Sequence, residues 1–182
     1  MTKTGCQWRL LPNDLPPWPL CYYCFWNWRN QGNWQKLNKA VVERRRQKAG
    51  RDGSPSVGVI DSQSVKCSEW GVFPKGYDGP KKVNGRKRHI VVDTLGLVLV
   101  VVVHAANQHE SPAARVVLTR LAEREYERMS KILADSAYGK KLASWLKKSF
   151  GLLLEVVKVS ELSAFHVVPM SWKVERTFSR MN

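Results

Sequence analysis

Two aspartates close hydrophobic runs. Val57-Gly58-Val59-Ile60-Asp61 is a short β-branched stretch ending in an acid, and Ile132-Leu133-Ala134-Asp135 has the same form. A strand end holds a side chain rigidly at the open edge of a sheet, which is where functional groups of open α/β sheets gather. Two carboxylates from neighbouring strands, joined by a third from a helix, could form an oxygen-lined site for Mg²⁺ or Mn²⁺. A pair of such ions can activate a water or a 3′-hydroxyl and stabilise the leaving oxygen in phosphodiester chemistry. An acid after a strand also caps the turn that follows, so neither aspartate alone carries an assignment.

The elements that must position these acids can be read from periodicity and punctuation. Strands are expected at Val57–Asp61, Lys87–Asp93, Leu97–His104, Lys131–Asp135 and Leu152–Val159. Asp93-Thr94-Leu95-Gly96 turns the second into the third as a hairpin, and Asp93 is read as its turn residue. Helices are expected at Ser111–Arg128, opened by Ser111-Pro112, at Gly139–Phe150, and from about Met170. Strands first, then alternation of strand and helix, give an α/β fold with a mixed sheet flanked by helices. Upstream, residues 1–48 hold five of the eight Trp, with Tyr22, Tyr23 and Phe25, and helices at about 20–30 and 34–48. These aromatics read as a small core rather than a base-stacking platform. Residues 49–56, rich in Gly, Ser and Pro, read as a linker to a main domain at 57–182.

Composition narrows the partners. The chain has 182 residues, 43% of them hydrophobic, enough for a packed core. Thirty Lys and Arg against 15 Asp and Glu leave a formal charge of +15, and a field of that sign attracts polyanions. Nucleic acid is the first candidate, with a ribosomal or membrane-surface protein as the alternative. The charge clusters at Lys75, Lys81, Lys82, Arg86, Lys87 and Arg88, with Gly76, Gly79 and Gly85 among them. Point charges on an adaptable loop suit DNA phosphates, which position the duplex without reading its sequence. Arg44, Arg45 and Arg46 either do the same or stand exposed on a helix. The longest apolar run, Leu97–Val103, is too short to span a bilayer. The start lacks a signal-peptide core, so four reduced cysteines in the cytosol are the default. Cys21-x-x-Cys24 has no second ligand pair at zinc spacing.

Longer motifs sharpen this reading. Val59-Ile60-Asp61-Ser62-Gln63-Ser64-Val65-Lys66 resembles the first-aspartate motif of DDE transposases of the insertion sequence five family, and Gly85 to Gly96 resembles the stretch that follows it there. Leu133-Ala134-Asp135-Ser136-Ala137-Tyr138-Gly139 resembles the second-aspartate motif, and Trp172-Lys173-Val174-Glu175-Arg176-Thr177-Phe178 the glutamate motif. Gly5 to Pro12 and Pro16-Pro17-Trp18 are similar to the family's N-terminal segment. The resemblance implies a ribonuclease H-like domain that cleaves double-stranded DNA at the ends of its element and joins it to a target. It implies Asp61, Asp135 and Glu175 as catalytic ligands of two Mg²⁺ or Mn²⁺ ions, with His89, Lys66 and Arg176 as candidate neighbours. It further implies a homodimer on paired DNA ends, in the bacterial cytoplasm on the nucleoid, with no membrane and no small-molecule substrate.

Two departures matter. Met170 and Ser171 stand where the family carries arginines, and the sequence stops at Asn182, a few residues after Glu175. The expectation is therefore a copy truncated at both ends. Its alternatives are an inactive DNA-binding remnant, and a ribonuclease or resolvase on the same fold.

Overall fold

The computed structural model describes residues 6–67, 74–156 and 171–181. Contacts divide the chain into two compact units, Met1–Val41 and Val42–Asn182.

The first unit contains a 3-10 turn at Trp8–Leu10, helix α1 (Trp18–Asn30) and the start of α2 (Asn33–Lys48). α1 starts two residues earlier than expected because Pro19 sits in its first turn, where its missing N–H costs nothing. The aromatic side chains pack on one another: Trp8 meets Tyr22 at 5.4 Å and Phe25 at 5.3 Å, and Trp34 meets Phe25 at 5.8 Å and Trp28 at 5.3 Å. No residue of α1 is buried, so this is a cluster of rings on a surface rather than a core. The division between the units falls inside α2. Residues 49–56, expected as a linker, are tied to the second unit: Ser56 O accepts from the Ser130 and Lys131 amides, and Asp52 pairs with Arg128 at 2.9 Å.

The described residues of the second unit form a six-stranded mixed sheet with β1 (Val57–Lys66) at its centre. β1 pairs antiparallel with β3 (Val83–Asp93) on one side and parallel with β5 (Lys131–Ala134) on the other. β2 (Gly76–Asp78) and β4 (Val98–Ala105) share the outer edge of β3, and β6 (Leu153–Val156) runs parallel to β5. α3 (Glu110–Ala122), α4 (Lys140–Phe150) and α5 (Ser171–Arg180) complete the unit. This is the expected mixed sheet flanked by helices. The expected strand beyond Val156 and the helix start at Met170 fall outside the described residues.

Side-chain alternation along the strands sorts the two faces. Ile60, Val91, Val100, Ile132 and Ala134 join Leu118, Leu121, Leu142 and Leu146 of α3 and α4 in the larger core. Val59, Ile90 and Val92 face the other way, against Val174 and Phe178 of α5.

Several boundaries differ from the sequence reading, each for a local reason. β1 does not end at Asp61; residues 62–66 continue it by pairing with 85–89 of β3. The apolar run stops at Asp61 because the parallel partner β5 pairs only with residues 57–59. α3 ends at Ala122 rather than Arg128, where Glu125 adopts a left-handed φ of 52° and Tyr126 turns into the core. β2 emerges inside the basic loop, where glycine-rich sequence gave no strand signal. At Gly85 a Cβ would collide with the Val65 carbonyl, so the basic stretch needs glycine there to lie flat against β1.

Candidate active site

The parallel register of β1 and β5 brings the two aspartates together. Val59 lies opposite Leu133, and two further residues along each chain set Asp61 beside Asp135, just past the end of β5. Asp61 Oδ1 accepts the Ser62 N–H at 2.6 Å, and Asp135 Oδ1 accepts the Ala137 N–H at 3.0 Å. Burial pushes the Asp61 carboxyl up to about 6. The Ser62 hydrogen bond pulls it back, the charge of Asp135 raises it, Lys81 lowers it and Glu110 raises it again. Asp135 itself is exposed.

Glu175 is placed on α5, the helix that covers the Val59 face, to which Asp61 also belongs by alternation. Its neighbour Val174 is fully buried, but Glu175 is exposed. Among the described residues, no three His, Cys, Asp or Glu side chains stand close enough to hold a metal ion. The structure thus brings two of the three expected acids together and leaves Glu175 apart from them. α5 is fastened by the β3–β4 turn: Thr177 Oγ1 donates to Gly96 O at 3.0 Å, Arg176 Nη2 to Leu95 O at 3.3 Å, and Lys173 to Thr94 O. Arg176 also stacks on Trp172 at 4.7 Å. It therefore holds the helix to the hairpin. Gly96 makes the turn with φ +81° and leaves room for the Arg176 head.

A buried polar network lies against the other face of β1. Glu110, in the first turn of α3, accepts from Ser62 Oγ and Lys87 Nζ, each at 3.0 Å. Lys87 also pairs with Asp78 at 3.4 Å, and Ser64 Oγ donates to Asp78 at 2.5 Å. Burial alone would raise the Glu110 and Asp78 carboxyls, but these donors hold both below their usual range. Lys87, expected on DNA, is thus a correction: it is 5% exposed and its charge is already neutralised by two carboxylates. The cause is parity, since Lys87, His89 and Val91 all point to the α3–α4 side. His89 is fully buried, and burial holds it neutral with a pKa near 4. Its Nε2 meets the Tyr138 hydroxyl at 2.7 Å. His104 is part-buried, with Nδ1 2.9 Å from the Ala105 carbonyl.

The remaining basic residues of the Lys75–Arg88 cluster lie nearer the surface than Lys87. Lys75 and Lys82 are exposed, as is Lys81, whose Nζ donates to Ser62 O at 3.3 Å and whose charge reaches Asp61. Arg86 and Arg88 are half-buried, and Arg88 reaches the Met181 carbonyl on the α5 side. Lys66 ends β1 five residues beyond Asp61, about 16 Å along an extended strand, so it is no immediate neighbour. Arg44 and Arg45 are exposed, whereas Arg46 is 4% exposed and forms an ion pair with Asp93. Asp93 also caps the turn, accepting from the Leu95 and Leu97 amides at 2.9 and 2.8 Å. Sequence reasoning missed Glu110 and Asp78; the only signal was an acid at the mouth of a helix that was expected to start one residue later.

The family model for the transposase DDE domain matches residues 52–182. This chain belongs to the DDE transposase family. A second model, for transposases of the IS4/5 family, matches residues 1–38. Among curated proteins no sequence matches. Of the solved structures, a piggyBac transposase synaptic complex with hairpin DNA is similar at 16% identity and a TM-score of 0.36, over 62% of this chain. The match spans 25% of that solved chain. No described helix of this DDE-family chain is long and apolar enough to cross a membrane.

Proposed function

We propose that this DDE-family chain cleaves double-stranded DNA at the ends of an insertion sequence and joins them to a target, with Asp61 and Asp135 as its cation-binding pair. The observation that carries the reading is the β1–β5 register, which sets two oxygen donors side by side at the end of the parallel pairing. The pair fits a hard divalent cation. Both groups are carboxylates, and the burial that raises Asp61, with the neighbouring charge of Asp135, is a cost that positive charge relieves. Mg²⁺ or Mn²⁺ bound there supplies the Lewis acidity that phosphodiester chemistry needs. Glu175 is the third ligand in this reading, delivered from α5. Lys75, Lys81, Lys82, Arg86 and Arg88 hold the DNA backbone, and Lys81, nearest the aspartates, steadies a phosphate beside them. Two copies act together on paired ends.

The exposed position of Glu175 favours a second reading, a DNA-binding chain without catalysis. Both readings give salt-sensitive DNA binding. Mn²⁺-dependent cutting of terminal-inverted-repeat DNA, lost in Asp61→Asn and Asp135→Asn, selects the first; binding without cutting selects the second.

A further inference from the structure

We infer that Tyr138 and His89 are positioning residues for the aspartate pair: one buried hydrogen bond staples the turn carrying Asp135 to the strand beside Asp61. The inference rests on the cation-binding reading above.

Among the described residues, Tyr138 is the one buried side chain of the turn after β5. Asp135, Ser136, Ala137 and Gly139 are all exposed, while Tyr138 is 1% exposed. Within the turn, the Tyr138 amide donates to the Asp135 carbonyl at 3.3 Å and the Ala137 amide to the Asp135 carboxylate at 3.0 Å. Both bonds shape the turn without attaching it to the sheet. The attachment is the Tyr138 side chain, whose hydroxyl lies 2.7 Å from His89 Nε2 on β3. His89 sits opposite Ser62, whose amide donates to Asp61. The Tyr138 hydroxyl therefore connects the second-aspartate turn to β3 and, through the Ser62 side chain, to β1 at the level of the first aspartate.

The pair is suited to a fixed role. Among the described residues, His89 Nδ1 has no hydrogen-bond partner, so the Tyr138 hydroxyl is the ring's sole hydrogen-bonded contact. Burial and the charges of Glu110, Asp61 and Asp135 raise the phenol, keeping it protonated, while burial keeps His89 neutral. Two neutral buried groups share a bond that neither can replace with water. Loss of such supporting bonds typically costs about 10–100-fold in metal affinity.

The test is Mn²⁺ titration of the full chain by calorimetry, with folding followed by circular dichroism. Tyr138→Phe and His89→Leu should each weaken Mn²⁺ binding about tenfold or more. The double variant should be no weaker than Tyr138→Phe alone, since that change already removes the bond to His89. His89→Gln, whose amide can still reach the hydroxyl, should recover much of the loss. Tyr138→Phe and His89→Gln alter the bond from opposite ends, so either folded variant keeps the test decisive. Wild-type Mn²⁺ affinity in Tyr138→Phe and His89→Leu, or additive losses in the double variant, would overturn the proposal. Absence of Mn²⁺ binding in the wild type would overturn the cation-binding reading, and this proposal with it.

Discussion

Asp61→Asn should stabilise the metal-free protein at neutral pH. The Asp61 carboxyl is pushed up to about 6 from an ordinary 3.8, with burial the largest cause. A carboxyl whose folded pKa lies above its unfolded one favours folding in its protonated form. Its contribution is whole below about pH 4 and is lost as the pH rises through about 6. At about 1.4 kcal/mol per pH unit, the ionised side chain costs the fold at most about 3 kcal/mol at pH 7. Asparagine removes that charge while its side-chain oxygen can still accept the Ser62 amide. For a chain of this size the gain corresponds to a rise in Tm of at most about 6–12 °C. The assay is thermal unfolding in EDTA between pH 4 and 8, for wild type and variant. Wild type should lose stability relative to the variant between pH 4 and 6, and Mn²⁺ should restore it only in wild type. Equal Tm values at pH 7, or a variant less stable there, would refute the argument that buried, crowded negative charge defines this site.

Other expectations follow from the packing around it. Arg46→Met should leave Asp93 buried without its counter-charge and cost about 3–5 kcal/mol in denaturant unfolding. Phe178→Ala empties the contact between α5 and the sheet, costing about 3–5 kcal/mol, and amide exchange should quicken first along α5. Lys82→Gln should weaken DNA binding for all sequences alike and reduce the slope of log affinity against log salt by about 0.9.

Much of this arrangement was legible in the residues, because hydrophobic strands and their terminal acids are local features. The alternation that buries Ile60 and turns Asp61 to the opposite face is written in the order of side chains. The β3–β4 hairpin is marked by Asp93 and Gly96, both of which do the turn-making work expected of them. The pairing of distant charges was not legible. Lys87 and Arg46 look like their basic neighbours in sequence, and only parity on β3 and the last turn of α2 send them inward to Glu110 and Asp93. Glu110 lies far from Asp61 in sequence and meets its neighbour Ser62 only because α3 starts over the sheet face there. Glu175 is expected from its motif alone, and its exposed place on α5 depends on how that helix docks on the β3–β4 turn, which no periodicity encodes.

The most direct measurement is cleavage of DNA carrying the element's terminal inverted repeats, by purified wild-type, Asp61→Asn and Asp135→Asn chains in Mn²⁺, under salt conditions where all three bind equally. The account predicts nicked or joined products from wild type and none from either variant. Equal binding with no product from any of the three, or product from both variants, would contradict it.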